Sequence, residues 1–312
     1  MTRDLAARIS ADRISAVREA YRACRLCPRD CGVDRLGSDP DAQPHGPKGA
    51  FCRLGEFAPV YKELLSLGEE AAISPTWLLD LGGCSWRCVF CSEWDHVVDP
   101  WRAPAVRLDP AWFVPRLQAR LEGGAKTVSF VGGDPTVSLL GVLRALAEVP
   151  FADWLPVVWN TNGQMSDAAL AALDGVVACY LVDAKFGNDA CAKRIAGPGA
   201  VGGRGELERT LRAAKDQGRR RPPEEQHLPA VIVRHLVMPG HLDCCTRPTL
   251  DWLAQAHPTV TVNLMTTYVP AGPALQGRAA TAELGDWATL AEQQAAVTVA
   301  RKVVPMLWID GK

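Results

Sequence analysis

Residues 77–91 read Trp-Leu-Leu-Asp-Leu-Gly-Gly-Cys-Ser-Trp-Arg-Cys-Val-Phe-Cys. Trp77–Leu81 is a short apolar run closed by Gly82-Gly83, as expected of a buried strand that ends in a turn. Cys84, Cys88 and Cys91 follow on one loop at C-x3-C-x2-C spacing. Three thiolates so placed can wrap one face of a cube-shaped iron–sulfur cluster, which normally takes four ligands. The fourth iron is then open to chelate the amino and carboxylate groups of a small molecule. A zinc site competes, with Asp95 or His96 as fourth ligand. The position behind a strand and the glycine motifs downstream favour the cluster.

Working outward, short apolar runs alternate with amphipathic stretches from about residue 75. The expected strands are Trp77–Leu81, Thr127–Val131, Pro156–Asn160, Val176–Asp183, Val231–Val237 and Val260–Leu264. The expected helices are 109–122, 136–148, 166–173, 205–217, 248–256 and 281–301, with 218–229 a loop insertion. Six β–α alternations require a parallel sheet covered by helices. Its closure is either a doubly wound open sheet or a full or partial barrel. Polar and glycine-rich residues gather behind five consecutive strands: Gly82-Gly83-Cys84, Gly132-Gly133-Asp134-Pro135, Asn160-Thr161-Asn162-Gly163, Asp183-Ala184-Lys185 and Met238-Pro239-Gly240. Parallel barrels place their active sites there, so the expected fold is α/β, a partial (β/α)6 barrel over 75–312.

The cysteine spacing with Phe90 before the last thiol resembles the signature of the radical S-adenosylmethionine superfamily. That resemblance implies a [4Fe–4S] cluster on Cys84, Cys88 and Cys91 and S-adenosylmethionine as cofactor. It also implies reductive cleavage to methionine and a 5′-deoxyadenosyl radical that abstracts hydrogen from a substrate. Gly132-Gly133-Asp134-Pro135 is similar to the family's G-G-E-P motif, with Asp in place of Glu, and implies that Gly132, Gly133 and Asp134 hold the methionine amine. Within the superfamily the likeness is to the pyruvate formate-lyase activating enzyme group. Asn160-Thr161-Asn162-Gly163 resembles its D-T-N-G, Asp183-Ala184-Lys185 its D-x-K, and Val233–Gly240 its I-R-x-x-V-x-P-G. By that likeness Phe90, Asp183, Lys185 and Arg234 face the cofactor, and Asn160, Thr161 and Asp183 border a monovalent-cation site in which Asn160 replaces the family's Asp. The likeness also implies an electron donor such as flavodoxin or ferredoxin, and a glycyl-radical protein as partner.

Ahead of the barrel, residues 1–23 include a helix over 4–22, with Leu5, Ile9, Ala16 and Ala20 at helical spacing. Residues 24–60 are rich in Cys, Gly, Pro and Asp and too poor in apolar periodicity to build a core. Cys24, Cys27, Cys31 and Cys52 are their expected staple, a second metal for which zinc and iron–sulfur are both compatible. The better-known activases with extra clusters carry those cysteines after the C-x3-C-x2-C motif, so their activity does not transfer automatically. Cys179, Cys191, Cys244 and Cys245 have no ligand-like spacing and receive no role.

Composition narrows the classes further. The 312 residues are 48% hydrophobic and 22% charged with a formal net charge of −1, so no basic field points to nucleic acid or an anionic membrane. Arg219-Arg220-Arg221 is balanced by Glu224 and Glu225 and reads as a solvated loop. Eleven cysteines without a signal peptide or membrane span suit metal ligation in the cytoplasm. Three functions remain: an activating enzyme that installs a glycyl radical on a partner protein, a radical enzyme acting directly on a small molecule or peptide, and a non-enzymatic electron-transfer or sensing module.

Overall fold

The computed structural model describes residues 9–37, 46–197, 200, 203–277 and 279–312. Helix α1 (Ala11–Ala20) opens the described chain, capped by Ser10, whose hydroxyl accepts from the Arg13 amide at 3.2 Å. The helix expected over 4–22 is therefore shorter at both described ends, and Leu5 lies outside the described residues. Of the expected inner residues Ile9 is buried and Ala20 packs on the core, while Ala16 departs from the expectation. Val17 and Tyr21 are buried and Ala16 faces solvent.

Strands β1 (Pro59–Ser66) and β2 (Thr76–Leu81) pair antiparallel, and β3 (Val106–Arg107) joins the far side of β1 after the short helix α2 (Trp94–Val98). The alternation then runs α3 (Pro110–Glu122), β4 (Thr127–Gly132), α4 (Leu139–Ala147), β5 (Val157–Thr161), α5 (Asp167–Leu173), β6 (Val177–Asp183), α6 (Asp189–Ala196), α7 (Gly203–Gly218), β7 (Val231–Leu236), α8 (Arg247–Ala256), β8 (Thr261–Met265), α9 (Leu290–Val303) and β9 (Leu307–Ile309). The sheet order is β3-β1-β2-β4-β5-β6-β7-β8-β9, parallel from β2 onward. A doubly wound sheet reverses its strand order at a switch point. Here the parallel strands β2 to β9 follow one another in chain order without reversal, which is the course of a barrel, and the two end strands of the sheet do not pair among the described residues.

All six expected strands appear within a residue or two of their expected bounds. The sequence reading missed β1, β3 and β9 and the helices α2 and α6. Two expected helices are shorter. Residues 135–138 form a tight 3-10 turn before α4, and 281–301 divides into a 3-10 stretch, Ala279–Gly285, and α9. The 218–229 insertion is not a wholly solvated loop, since Arg221, Pro222, Glu225 and Leu228 are buried. Arg221 is buried and donates to the carbonyls of Gly218, Ala178 and Leu228, pinning the loop beneath β6.

Period-two alternation sorts the parallel strands into two faces. Val157, Trp159, Tyr180, Val182, Val231 and Val233 pack outward in the main core beneath the helices. Val158, Leu181 and Ile232 point inward and cluster with Ile73, so the β1–β2 connection runs along the inside of the curved sheet. Two residues further along the same inner face stand Asn160, Asp183 and Arg234. The register that fills the core thus also aims polar side chains inward at the carboxyl end.

His235 locks β7 into this arrangement. Fully buried, it donates from Nδ1 to the Ala184 carbonyl at 2.6 Å and accepts at Nε2 from the Thr246 hydroxyl at 3.1 Å. Burial drives its pKa down to about 4, against the Ala184 hydrogen bond and with help from Lys185. The unfolded imidazole, near its ordinary value of about 6.5, therefore takes a proton first as pH falls. The resulting stability is complete above about pH 6.5 and is lost toward pH 4, by about 1 kcal/mol at about pH 5.5. Urea unfolding across this window should show that decline, and His235→Gln should flatten it. An equal slope in the two proteins would refute the assignment.

Candidate active site

The cysteine loop is fixed by glycine backbone. Gly133 N–H donates to Leu81 O at 2.8 Å and Asp134 N–H to Gly83 O at 3.0 Å. A Cβ on Gly133 would lie 1.8 Å from Gly83 O, and one on Gly82 2.5 Å from Pro100 O. Neither site has room for a side chain, so the ends of β2 and β4 touch through bare backbone. Gly132 adds a positive φ of 101°, which only glycine adopts freely.

Behind these turns lies a cavity of about 600 Å3 at the carboxyl ends of the strands. Cys84, Cys88, Phe90, Cys91, Gly132, Gly133, Asn160, Thr161, Asp183, Lys185 and Arg234 all line it. Of the residues expected to face a cofactor, Asp134 alone is absent from the wall. Its buried carboxylate accepts at 2.9 Å from the Thr136 amide, the Thr161 hydroxyl and the Asn162 amide. It ties β4 to the end of β5 and is a strut behind the wall.

Burial pushes the Cys84 thiol up to about 12, with the nearby Asp134 charge adding to it, and burial raises Cys88 and Cys91 as well. Such thiols give up their protons to a metal, not to bulk water. Lys185 contacts Asp183 as an ion pair. Burial alone would lower the Lys185 pKa, but Asp183 and the Cys88 and Cys84 sulfurs outweigh it and hold the ammonium above its ordinary value. Arg234 is likewise paired, reaching Glu70 from Nε at 2.6 Å and also contacting Glu69. Glu70 is held below the usual carboxylate range despite burial by Arg234 and by the Asn263 amide.

The sequence reading missed three groups in or beside the wall. Asn162 donates to Ser85 Oγ at 3.0 Å and stands 3.7 Å from Cys84 Sγ, which makes it a direct neighbour of the thiol. Asp80 lines the cavity and is pushed up to about 6 by burial, with Lys62 opposing at 3.3 Å and Glu93 adding to the rise. It was visible as the single acid in the apolar run Trp77–Leu81. Trp86 packs at 5.5 Å from Phe186, and Phe90 meets Tyr268 edge-on at 5.9 Å, so aromatic rings flank the thiols.

The N-terminal cysteines border one cavity without forming a tight ligand group. Cys24, Cys27, Cys31 and Cys52 line a second, tight cavity of about 20 Å3 with Arg29, Arg35 and Ser85. Arg35 is fully buried, donates to Leu54 O, Gly55 O and Val137 O, and stands 3.5 Å from Cys24 Sγ. Arg29 donates to Ser85 O at 2.6 Å and Arg87 to Phe51 O at 2.6 Å, so the two cysteine regions share one wall.

A family model, the radical SAM superfamily, matches residues 79–253. The chain is similar to an uncharacterized protein, MJ0674, of Methanocaldococcus jannaschii, with 31% identity over 83% of this chain and 69% of the relative. Its fold is similar to that of a radical SAM methyltransferase from Sphaerobacter thermophilus, at 15% identity and a TM-score of 0.52 over 98% of this chain and 92% of the other.

Gly133→Ala should displace the cysteine loop without touching a thiol. The expected result is a folded protein that retains far less iron after anaerobic reconstitution than the parent. Full iron and sulfide in the variant would show that the backbone contact does not position the loop.

Proposed function

This chain belongs to the radical SAM superfamily, and we propose that it cleaves S-adenosylmethionine reductively to activate a partner protein by forming a glycyl radical. The family implies a [4Fe–4S] cluster and S-adenosylmethionine, and the donor set suits both. Three thiols without a fourth cysteine in the wall leave one iron open, and about 600 Å3 lies within the usual small-molecule range of about 300–1,000 Å3. When bound, the cluster supplies one electron to the sulfonium and thereby the radical that abstracts hydrogen.

The chain's own residues hold and shield that chemistry. Cys84, Cys88 and Cys91 would hold the cluster, and Asn162 steadies the loop beside Cys84. The Gly132-Gly133 backbone would border the methionine portion, with Asp134 fixing that backbone from behind. Asn160, Thr161, Asp183, Lys185 and Arg234 order the remaining polar surface, while Trp86 and Phe90 exclude water. A flavodoxin- or ferredoxin-class donor in the cytoplasm would be the partner that supplies the electron.

The observation that carries this reading is the gathering of three thiols and five polar strand ends around one cavity. The glycyl-radical partner is supported by the Asn160–Gly163, Asp183–Lys185 and Val233–Gly240 motifs and by a sheet whose end strands do not pair among the described residues, giving a loop of another protein a lateral way in. A direct small-molecule substrate is the second reading, favoured by Asp80, an extra titratable carboxyl in the wall. Cys24, Cys27, Cys31 and Cys52 complete the proposal as a second metal site. The buried Arg35 guanidinium offsets the charge of their thiolates, and no helix among the described residues is long and apolar enough to cross a membrane.

Reduced protein with S-adenosylmethionine should release 5′-deoxyadenosine and methionine, and the triple Cys84, Cys88, Cys91→Ala variant should release none. Chromatography showing no 5′-deoxyadenosine from intact, reduced protein would sink the reaction. Candidate glycyl-radical proteins should then give a carbon-centred doublet by electron paramagnetic resonance. Silence from all of them, with a small molecule stimulating 5′-deoxyadenosine release, would replace the activating role by the direct one.

A further inference from the structure

Four side chains outside the thiol-lined cavity meet on its flank. Cys191 stands in the first turn of α6, His241 follows β7, and Cys244 and Cys245 lie in the π-helical turn Leu242–Thr246 that leads into α8. Their ligand atoms all lie within 4.8 Å of one another. Among the described residues no other three or more His, Cys, Asp or Glu side chains converge in this way. We propose that Cys191, His241, Cys244 and Cys245 form a tetrahedral Cys3His site for a structural zinc ion.

The spacings match a single ion. Zn–S bonds of about 2.3 Å and Zn–N bonds of about 2.05 Å set tetrahedral edges of about 3.8 Å between sulfurs and about 3.6 Å between sulfur and nitrogen. Cys244 Sγ and Cys245 Sγ are 3.9 Å apart, and they stand 3.1 and 3.4 Å from His241 Nδ1. A four-iron cluster puts each ligand on a different iron and needs them much further apart.

The π turn explains how two adjacent cysteines serve one ion. In an α-helix, neighbours diverge by about 100°. Here the amides of both Cys245 and Thr246 reach back to His241 O, at 3.0 and 3.1 Å, and the wider turn leaves both sulfurs beside the imidazole. Single π turns recur at functional sites.

Second partners orient the ligands. Glu283 Oε1 lies 3.2 Å from His241 Nε2, and an ion on Nδ1 would require Nε2–H, which would donate to this carboxylate and leave Arg194 paired with Glu283 alone. This is the carboxylate–histidine–metal arrangement common at zinc sites. Arg194 reaches the same Glu283 oxygen at 2.6 Å and stands 2.9 Å from Nε2. Its charge offsets the net negative charge of three thiolates on a divalent ion. Asn188 donates to Cys244 O at 2.9 Å and stands 3.5 Å from Cys191 Sγ, which ties the two ligand-bearing segments together. His241 and Cys245 are fully buried, while the half-exposed Cys244 gives the ion its entry path.

Four protein ligands close the coordination sphere, so the ion is a staple and not a catalyst. It joins α6 to the segment after β7. Phe186 and Met238, which flank those segments, pack in one cluster with Cys84, Trp86 and Phe90. The zinc would therefore stiffen one wall of the reaction cavity.

The test compares zinc content in the full-length parent and its variants after equilibration with zinc alone, counted by mass spectrometry. Both Cys191→Ser and the double variant Cys244→Ser/Cys245→Ser should hold about one zinc fewer per chain than the parent, a difference that cancels any metal at the other cysteines. His241→Cys keeps four ligands and should retain the ion, and Glu283→Gln should weaken its affinity by about 10- to 100-fold. Cobalt in place of zinc should give tetrahedral absorption with sulfur charge transfer, lost in the serine variants. Equal zinc in parent and serine variants overturns the proposal, as does a Cys191 disulfide to Cys244 or Cys245 in the purified parent. Should the serine variants not fold, unchanged zinc affinity in Glu283→Gln together with loss of the ion in His241→Cys overturns it.

Discussion

The backbone contact between Gly83 and Gly133 is the constraint on which the active-site architecture depends. Two peptide hydrogen bonds and a gap too small for any Cβ hold the end of β2 against the end of β4. From that contact a closed circuit follows. Asp134, next in sequence, binds Thr161 and Asn162 at the end of β5, and Asn162 returns across the cavity to Ser85 beside Cys84. Three strand ends are thus cross-tied by groups that are all buried and all paired. Loss of any one of them leaves a buried donor or acceptor unsatisfied, at a cost of about 1–3 kcal/mol.

The N-terminal segment reinforces the circuit from outside. Arg29 and Arg87 both pack on the Phe51 ring, at 3.5 and 4.3 Å from its centroid, and each also donates to a carbonyl of the opposite segment. Leu54 packs on Gly83, where a Cβ would meet its side chain at 2.8 Å. A segment with little core of its own therefore borrows order from the cysteine loop and returns it as packing.

The six parallel strands from β2 to β8 were legible because each is a mostly apolar run buried on both faces, a pattern that survives without knowledge of its neighbours. Strand β1, Pro-Val-Tyr-Lys-Glu-Leu-Leu-Ser, was not legible, since its second half mixes polar and exposed apolar positions and follows a glycine- and proline-rich stretch. Strand β9 spans only three residues and takes its identity from pairing with β8. The motif residues at the strand ends were legible by type but not by direction. Asp134 carries the expected chemistry yet turns it into the frame, because its short side chain reaches the Thr161 and Asn162 donors first. The Cys191, His241, Cys244 and Cys245 cluster was illegible for a different reason. Its members are up to 54 positions apart, from 191 to 245, and only the packing of α6 against a π turn joins them.

Charge arrives in the cavity already matched. Lys185 is paired with Asp183, Arg234 with Glu69 and Glu70, and Asp80 with Lys62. Carboxylates outnumber cations around the wall, so the field does not favour a simple anion, and further polar capacity rests with backbone groups and neutral amides such as Asn160. Binding must then come from shape and from hydrogen bonds of defined direction, since an isolated buried charge would be too costly to desolvate. A ligand that carries its own compensating charges, as a zwitterionic amino acid joined to a nucleoside does, meets that requirement with the least rearrangement. The pairing also keeps the protein's charges fixed while an electron enters, so the electrostatic environment of the reaction is set by the fold before any ligand binds.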